Sequence, residues 1–151
     1  MRIETTKDIL EHSRKFHKII AEYYRKLSES SDKERVKLLL NYLEERESKI
    51  EETLEELEVT ISPNVLNSWF SHSQCKNKLD ELAQLVKKET TSVPEIIDIF
   101  VHLDDCLIDL YTKIVHNAEN VEVQEFFKSL SKIQENHKLK SLLNAAQIDD
   151  F

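Results

Sequence analysis

The stretch from Leu10 to Leu27, LEHSRKFHKIIAEYYRKL, decides the fold class. Its apolar residues recur every three to four positions, which is the period of one face of an α-helix. The whole chain of 151 residues has no glycine and two prolines, although glycine usually makes up about 7% of a protein. This composition excludes Gly-dependent phosphate loops, EF-hand loops and Gly-containing hairpin turns. The sequence therefore predicts an all-α protein.

Three further stretches have the same period, so four long helices are predicted. We expect the first helix over residues 6–28, the third over 94–116 and the fourth over 121–146. The second is expected to begin at an N-cap at Ser31 or Asp32 and to end at about residue 58. In the short turn 117–120, an asparagine is expected to take the left-handed conformation in place of glycine. The whole chain then forms a single domain: a four-helix bundle with one hairpin over 6–58, a crossover over 59–93, and a second hairpin over 94–146.

The crossover contains the adjacent aromatic residues Trp69 and Phe70. We expect these two side chains to pack the connection onto the bundle, and a short helix to run from Asn77 to Lys88. A contact in a homodimer, or with a separate protein partner, is the alternative role of the two aromatic residues.

The charge and cysteine content restrict the partners and the location. The net charge of −8 and the interleaving of basic with acidic residues disfavour binding to nucleic acid and to anionic membranes. No apolar run is long enough to span a membrane, and the N-terminus has no apolar signal core. Two cysteines, Cys75 and Cys106, favour idle thiols in a cytoplasmic protein, and a disulfide between them is the alternative.

Each helix has an inward stripe that a polar residue interrupts near its middle. The interruptions are His17, Glu47, Asp104, and in the last helix Gln134 with His137. Antiparallel helices bring together residues that are equally far from their turn, so these side chains are expected to converge inside the bundle. Burial of unpaired ionisable groups is costly, so the groups must pair, stay neutral or bind a metal ion.

The two halves of the chain are also in register. Adding 87 to a residue number carries His17 onto Asp104, Tyr24 onto Tyr111, and Glu47 onto Gln134. The register predicts an internal duplication of one helical hairpin.

These features resemble the ferritin-like superfamily, and within it the rubrerythrin-type proteins. The resemblance implies a four-helix bundle with a dimetal site, which takes one Glu from each of helices one and three. It also implies a Glu-x-x-His motif in each of helices two and four. His17 stands where the first Glu is expected, seven residues before Tyr24, and Asp104 stands where the second is expected, seven residues before Tyr111.

The two Glu-x-x-His motifs are each half present. Helix two keeps Glu47 but has Ile50 in the His position, and helix four has Gln134 in the Glu position but keeps His137. The resemblance thus implies a degenerate centre with one transition-metal ion (Fe, Zn or Mn). The ligands would be His17, Glu47, Asp104 and His137, with Gln134 as a weak fifth and with Tyr24 and Tyr111 beside them.

A metal-free interaction or scaffold protein is the equally supported alternative. In that case the central residues would only pair with each other, for example His17 with Asp104 and Glu47 with His137. No catalytic residue is assigned, and efficient ferroxidase or peroxidase activity is not expected from two carboxylates. A metal-dependent oxidoreductase would need a separate redox partner, because the chain has no Cys-x-x-Cys motif.

Overall fold

The structure is a computed structural model that describes residues 2–72 and 92–149. Four long helices dominate the described part, and the all-α prediction is confirmed for the bundle that they form. The elements in chain order are β1 (Arg2–Thr5), α1 (Thr6–Ser30), α2 (Glu34–Thr60), α3 (Pro63–Leu66), β2 (Trp69–His72), α4 (Val93–Asn117) and α5 (Val121–Asp149).

The first helix of each hairpin begins at a capping box. The Thr5 hydroxyl oxygen accepts a hydrogen bond from the Asp8 backbone N–H at 3.1 Å, and the Ser92 hydroxyl oxygen accepts one from the Glu95 N–H at 3.3 Å. The carboxylates of Asp8 and Glu95 accept hydrogen bonds from the cap N–H groups in return. Two otherwise unpaired donors are thereby satisfied at each helix start. Both caps, like both helices, are 87 residues apart.

The turns of the hairpins are built without left-handed residues. Among residues 2–72 and 92–149, none has a positive φ, and the helices α1 and α4 end at Ser31 and Ala118 in extended conformations. The predicted left-handed asparagine in the turn 117–120 is therefore wrong. The Asn120 side chain instead accepts a hydrogen bond from the Glu122 N–H at 2.8 Å, so it supports the start of α5.

The N-cap expected for α2 at Ser31 or Asp32 is also wrong. The N-cap is Lys33, and its side chain makes no capping hydrogen bond. The Ser31 hydroxyl accepts from the Lys33 N–H at 3.3 Å, so this serine stabilises the turn that precedes the helix.

The predicted apolar stripes form the core. Helices α1 and α2 pack as one hairpin, α4 and α5 pack as the other, and α2 contacts α5 across the bundle. The largest fully buried side chains come from all four helices: Tyr24, Tyr111, Phe100, Phe127, Ile9, Leu10, Ile20, Leu39, Leu40, Leu43 and Leu54. In the part of the chain that the structure describes, no helix is long and apolar enough to cross a membrane.

A two-stranded antiparallel ribbon joins the N-terminus to the crossover, and the sequence did not predict it. Strand β1 pairs with β2 in the register Thr5 to Trp69 and Arg2 to His72. The Thr6 N–H also donates to the Ser68 carbonyl at 2.9 Å. Strands of four residues are too short for a clear alternating pattern, which explains the omission. The ribbon fixes the backbone of the Trp69–Phe70 pair beside the start of α1.

Two expectations for the crossover concern residues that lie outside the described ones. The short helix from Asn77 to Lys88 is one, and Cys75 is the other. Cys106, however, lies in α4 and is disulfide-bonded rather than an idle thiol. The cytoplasmic location stays a prediction from the sequence.

The capping boxes lead to a stability prediction. Ser92→Ala removes the hydroxyl that caps α4 and is expected to lower the free energy of unfolding by about 1 kcal/mol, measured by urea denaturation. Ser129→Ala is the matched control, because the exposed Ser129 hydroxyl only contacts the Glu125 carbonyl within α5. Equal stability of the two variants would contradict the role of the cap.

Candidate metal centre

Five polar side chains meet at mid-height in the bundle, as the stripes predict. They come from all four long helices and are almost completely buried, with exposed fractions of 0% for His17, 4% for Glu47, 3% for Asp104, 1% for Gln134 and 3% for His137. Most of their neighbours along the stripes are apolar, with the buried Ser13 and Ser141 as exceptions. The polar cluster is therefore enclosed in the core of the bundle.

Each hairpin makes one internal contact in this cluster. In the first hairpin, His17 Nδ1 lies 2.5 Å from Glu47 Oε2. In the second, the Gln134 side-chain amide donates to Asp104 Oδ1 at 2.7 Å. Both pairs are 30 residues apart, and adding 87 carries one pair onto the other. The cluster thus follows the register that the sequence shows, while duplication itself stays a prediction.

The two hairpins meet through His137. Its Nε2 lies 3.2 Å from Glu47 Oε1 and 3.8 Å from Asp104 Oδ1. Glu47, Asp104 and His137 each offer one ligand atom, and these three atoms lie within 4.8 Å of one another. Three helices, α2, α4 and α5, therefore supply a group of donors that could hold one metal ion.

The position of His17 differs from that of the other predicted ligands. Its imidazole does not belong to the group of three donors, and its Nδ1 contacts Glu47 instead. The sequence also left open a pair between His17 and Asp104, whereas the structure pairs His17 with Glu47. Glu47 consequently has an imidazole on each of its two oxygens.

The charges of the two carboxyl groups differ because of this arrangement. Burial raises the pKa of Glu47, but the imidazoles of His17 and His137 outweigh that effect and lower its pKa to about 2. Burial and the nearby charge of Glu47 raise the pKa of Asp104 to about 7, against the opposing effect of His137. Glu47 is therefore ionised at neutral pH, whereas Asp104 keeps its proton to a much higher pH than an exposed aspartate.

Several buried atoms of the cluster lack partners. Asp104 Oδ2, His17 Nε2 and the Tyr24 hydroxyl oxygen have no hydrogen-bond partner among the described residues. Burial, followed by the charges of Glu47 and Asp104, raises the pKa of Tyr24 well above its ordinary value, so its hydroxyl is a neutral donor. Buried polar atoms are rarely left unsatisfied. A metal ion would satisfy the free oxygen of Asp104, whereas the Tyr24 hydroxyl, as a donor, needs an acceptor such as a water molecule.

The two matched tyrosines have different environments. The Tyr111 hydroxyl donates to Ser13 Oγ at 2.8 Å. The residue 87 positions after Ser13 is Phe100, which offers no acceptor to Tyr24. Ser13 is a buried polar residue on the inward stripe of α1, and a serine at a stripe position is the signal in the sequence for this contact.

The donor spacing is close to that of a site for one ion. Two donors that are each about 2.1 Å from the same ion lie about 3.0 to 4.2 Å apart. The two distances from His137 Nε2 fall in that range, and all three donor atoms lie within 4.8 Å of one another. Two carboxylates with an imidazole suit iron, zinc or manganese. Ile50, in the position where the ferritin-like resemblance predicts a histidine, is buried at 4% exposure and offers no ligand atom.

The tyrosine environments generate a matched prediction for the metal-free protein. Tyr111→Phe leaves the buried Ser13 hydroxyl without its partner and is expected to lower the free energy of unfolding by about 1–2 kcal/mol. Tyr24→Phe removes a hydroxyl that has no partner, so it should leave the stability unchanged or raise it. Chemical denaturation of both variants after chelation measures the difference, and a larger loss for Tyr24→Phe would contradict the assignment.

Comparison with solved structures supports the fold. A Thermotoga maritima protein, described as a ferritin-like diiron-carboxylate protein, superposes with a TM-score of 0.63 over 97% of this chain and 97% of its own, at 17% sequence identity. No protein-family model matches the sequence, and no curated protein matches it. The chain therefore has the ferritin-like helical fold that the stripes and their polar interruptions predict.

Proposed function

We propose that this protein binds one transition-metal ion between Glu47, Asp104 and His137, in a ferritin-like bundle with a degenerate metal centre. The observation that carries the proposal is the convergence of three donors from three helices within 4.8 Å. The unpartnered Oδ2 of Asp104 next to them supports it. The description of the structural neighbour as a ferritin-like diiron-carboxylate protein supports metal binding by a protein of this fold.

One ion is proposed rather than two because half of each Glu-x-x-His motif is missing. Ile50 has no ligand atom, and the Gln134 amide donates its N–H group to Asp104. The two remaining carboxylates cannot both bridge two ions and complete their coordination. Efficient ferroxidase or peroxidase activity is accordingly not part of the proposal.

The residues have distinct roles in this proposal. Glu47 is already ionised, His137 binds through Nε2, and Asp104 binds after it loses its proton. His17 orients Glu47 through the contact at Nδ1, as residues next to metal ligands commonly do. A bound iron or manganese ion would supply redox capacity, and a zinc ion would supply a Lewis acid.

A metal-free scaffold is the second candidate, and one observation favours it. Each of the five central side chains already has a polar partner within the cluster. The His17–Glu47–His137 chain and the Asp104–Gln134 pair would then hold the hairpins in register without an ion. Metal removal would leave such a protein unchanged.

Metal analysis distinguishes the two candidates. Protein that is purified without an immobilised-metal column, treated with chelator and titrated with Mn²⁺, Fe²⁺ or Zn²⁺ is expected to bind one ion per chain. Asp104→Asn should weaken the affinity at least tenfold, because it removes a charged ligand. Asp105→Asn is the matched control, because Asp105 is an exposed neighbour that pairs with Lys138 outside the cluster.

The opposite result would exclude the metal centre. Substoichiometric metal, together with a melting temperature that chelator does not change, would support the scaffold. Equal affinity of the Asp104→Asn and Asp105→Asn variants would show that the ion binds elsewhere on this acidic chain.

Completion of the motifs is the second test of the metal centre. The double variant Ile50→His with Gln134→Glu supplies one imidazole and one carboxylate at the two positions where the ferritin-like pattern expects them. It is expected to bind two ions per chain instead of one, measured by mass spectrometry of the metal-loaded protein. Leu139→His with Gln147→Glu adds the same two groups at exposed positions of α5; it is the control and should keep the original stoichiometry.

A further inference from the structure

A groove between α2 and α5 opens on the surface next to His137. Its volume is about 260 Å³, and its lining residues are Arg46, Lys49, Ile50, Thr53, Ile133, Asn136, His137 and Lys140. These described lining residues carry three positive charges and no carboxylate. The groove is thus a local basic site on a chain whose net charge is −8.

The positive charges of the groove are not neutralised by neighbours. None of Arg46, Lys49 and Lys140 has a carboxylate within 4.0 Å among the described residues, in contrast to the paired side chains of Arg14 and Lys113. Arg14 contacts Glu51 and Glu58, and Lys113 contacts Asp109. What distinguishes the groove is that three basic side chains lie together with no carboxylate among its lining residues.

The groove is also lined by two side chains with unpartnered buried nitrogens. Arg46 Nε and His137 Nδ1 are buried, and neither has a hydrogen-bond partner among the described residues. The His137 side chain is 3% exposed, and its other ring nitrogen, Nε2, lies against Glu47. An N–H group at either unpartnered nitrogen lacks the acceptor that buried donors normally have.

We propose that this groove binds a small oxyanion, with a phosphate or carboxylate group as the recognised chemistry. The oxygens would accept hydrogen bonds from Arg46 and from the Nδ1–H of His137, and the ammonium groups of Lys49 and Lys140 would supply attraction at the rim. Thr53 and Asn136 add uncharged polar groups. The volume is below the roughly 300 Å³ at which pockets for drug-sized ligands begin, which matches inorganic phosphate or a small organic acid.

Titration of the metal-free full-length protein tests this site separately from the metal centre. Inorganic phosphate and succinate are added in turn at constant ionic strength, and binding is followed by ¹H–¹⁵N correlation spectra. Saturable one-to-one binding of either anion is expected, with shifts at residues of the groove. The anion that binds more tightly identifies the preferred group.

Paired charge variants make the test specific. Lys49→Gln with Lys140→Gln should weaken the anion affinity at least tenfold, and both side chains are exposed, so the bundle should stay folded. Lys113→Gln with Lys128→Gln is the control, because it removes the same charge from exposed lysines that pair with Asp109 and Glu125. The proposal is overturned if neither anion binds saturably, or if both pairs weaken binding equally.

Discussion

The burial of the Glu47 carboxylate between two imidazoles is the interaction on which the centre depends. A charge enclosed in an apolar core is tolerated only when it is paired and hydrogen-bonded. His17 from the same hairpin and His137 from the other hairpin both contact this carboxylate, so a single charge joins α1, α2 and α5. Because these contacts lower the pKa of Glu47 to about 2, the group stays anionic at neutral pH. The bundle therefore holds a negative charge at a fixed position in its core, and a cation that binds there would lie beside this charge.

The helices around this charge repeat regularly between the two hairpins, but the polar side chains that they carry differ. The first residues of α1 and α4, Thr6 and Val93, are 87 positions apart. The same offset relates the contact of His17 with Glu47 to that of Asp104 with Gln134. At the same level one hairpin presents an imidazole and a carboxylate, and the other presents a carboxyl and an amide. This asymmetry leaves too few carboxylates for two ions. The side chains that are present suit either one metal ion or a polar network in which they bond only to one another.

The sequence predicted most of the bundle because burial repeats with the helical period. A stripe such as Ser13–His17–Ile20–Tyr24 is a local property of one helix, and its four side chains are buried as expected. The partner of His17 was not predictable, because it depends on a ring orientation that no spacing encodes. The ribbon of β1 and β2 was missed because each strand is short. The basic groove was also missed, because Arg46 and Lys140 lie on different helices and meet only through the packing of α2 against α5.

His137 belongs to both the centre and the groove, and this sharing has a physical consequence. With a metal ion at Nε2, an oxyanion that accepts a hydrogen bond from Nδ1 would hold the imidazole proton there and leave the lone pair of Nε2 for the ion. The same anion would offset the charges of Arg46, Lys49 and Lys140, which otherwise oppose a cation at the centre. Both effects act in one direction, so anion and metal ion would each strengthen the binding of the other by the same factor.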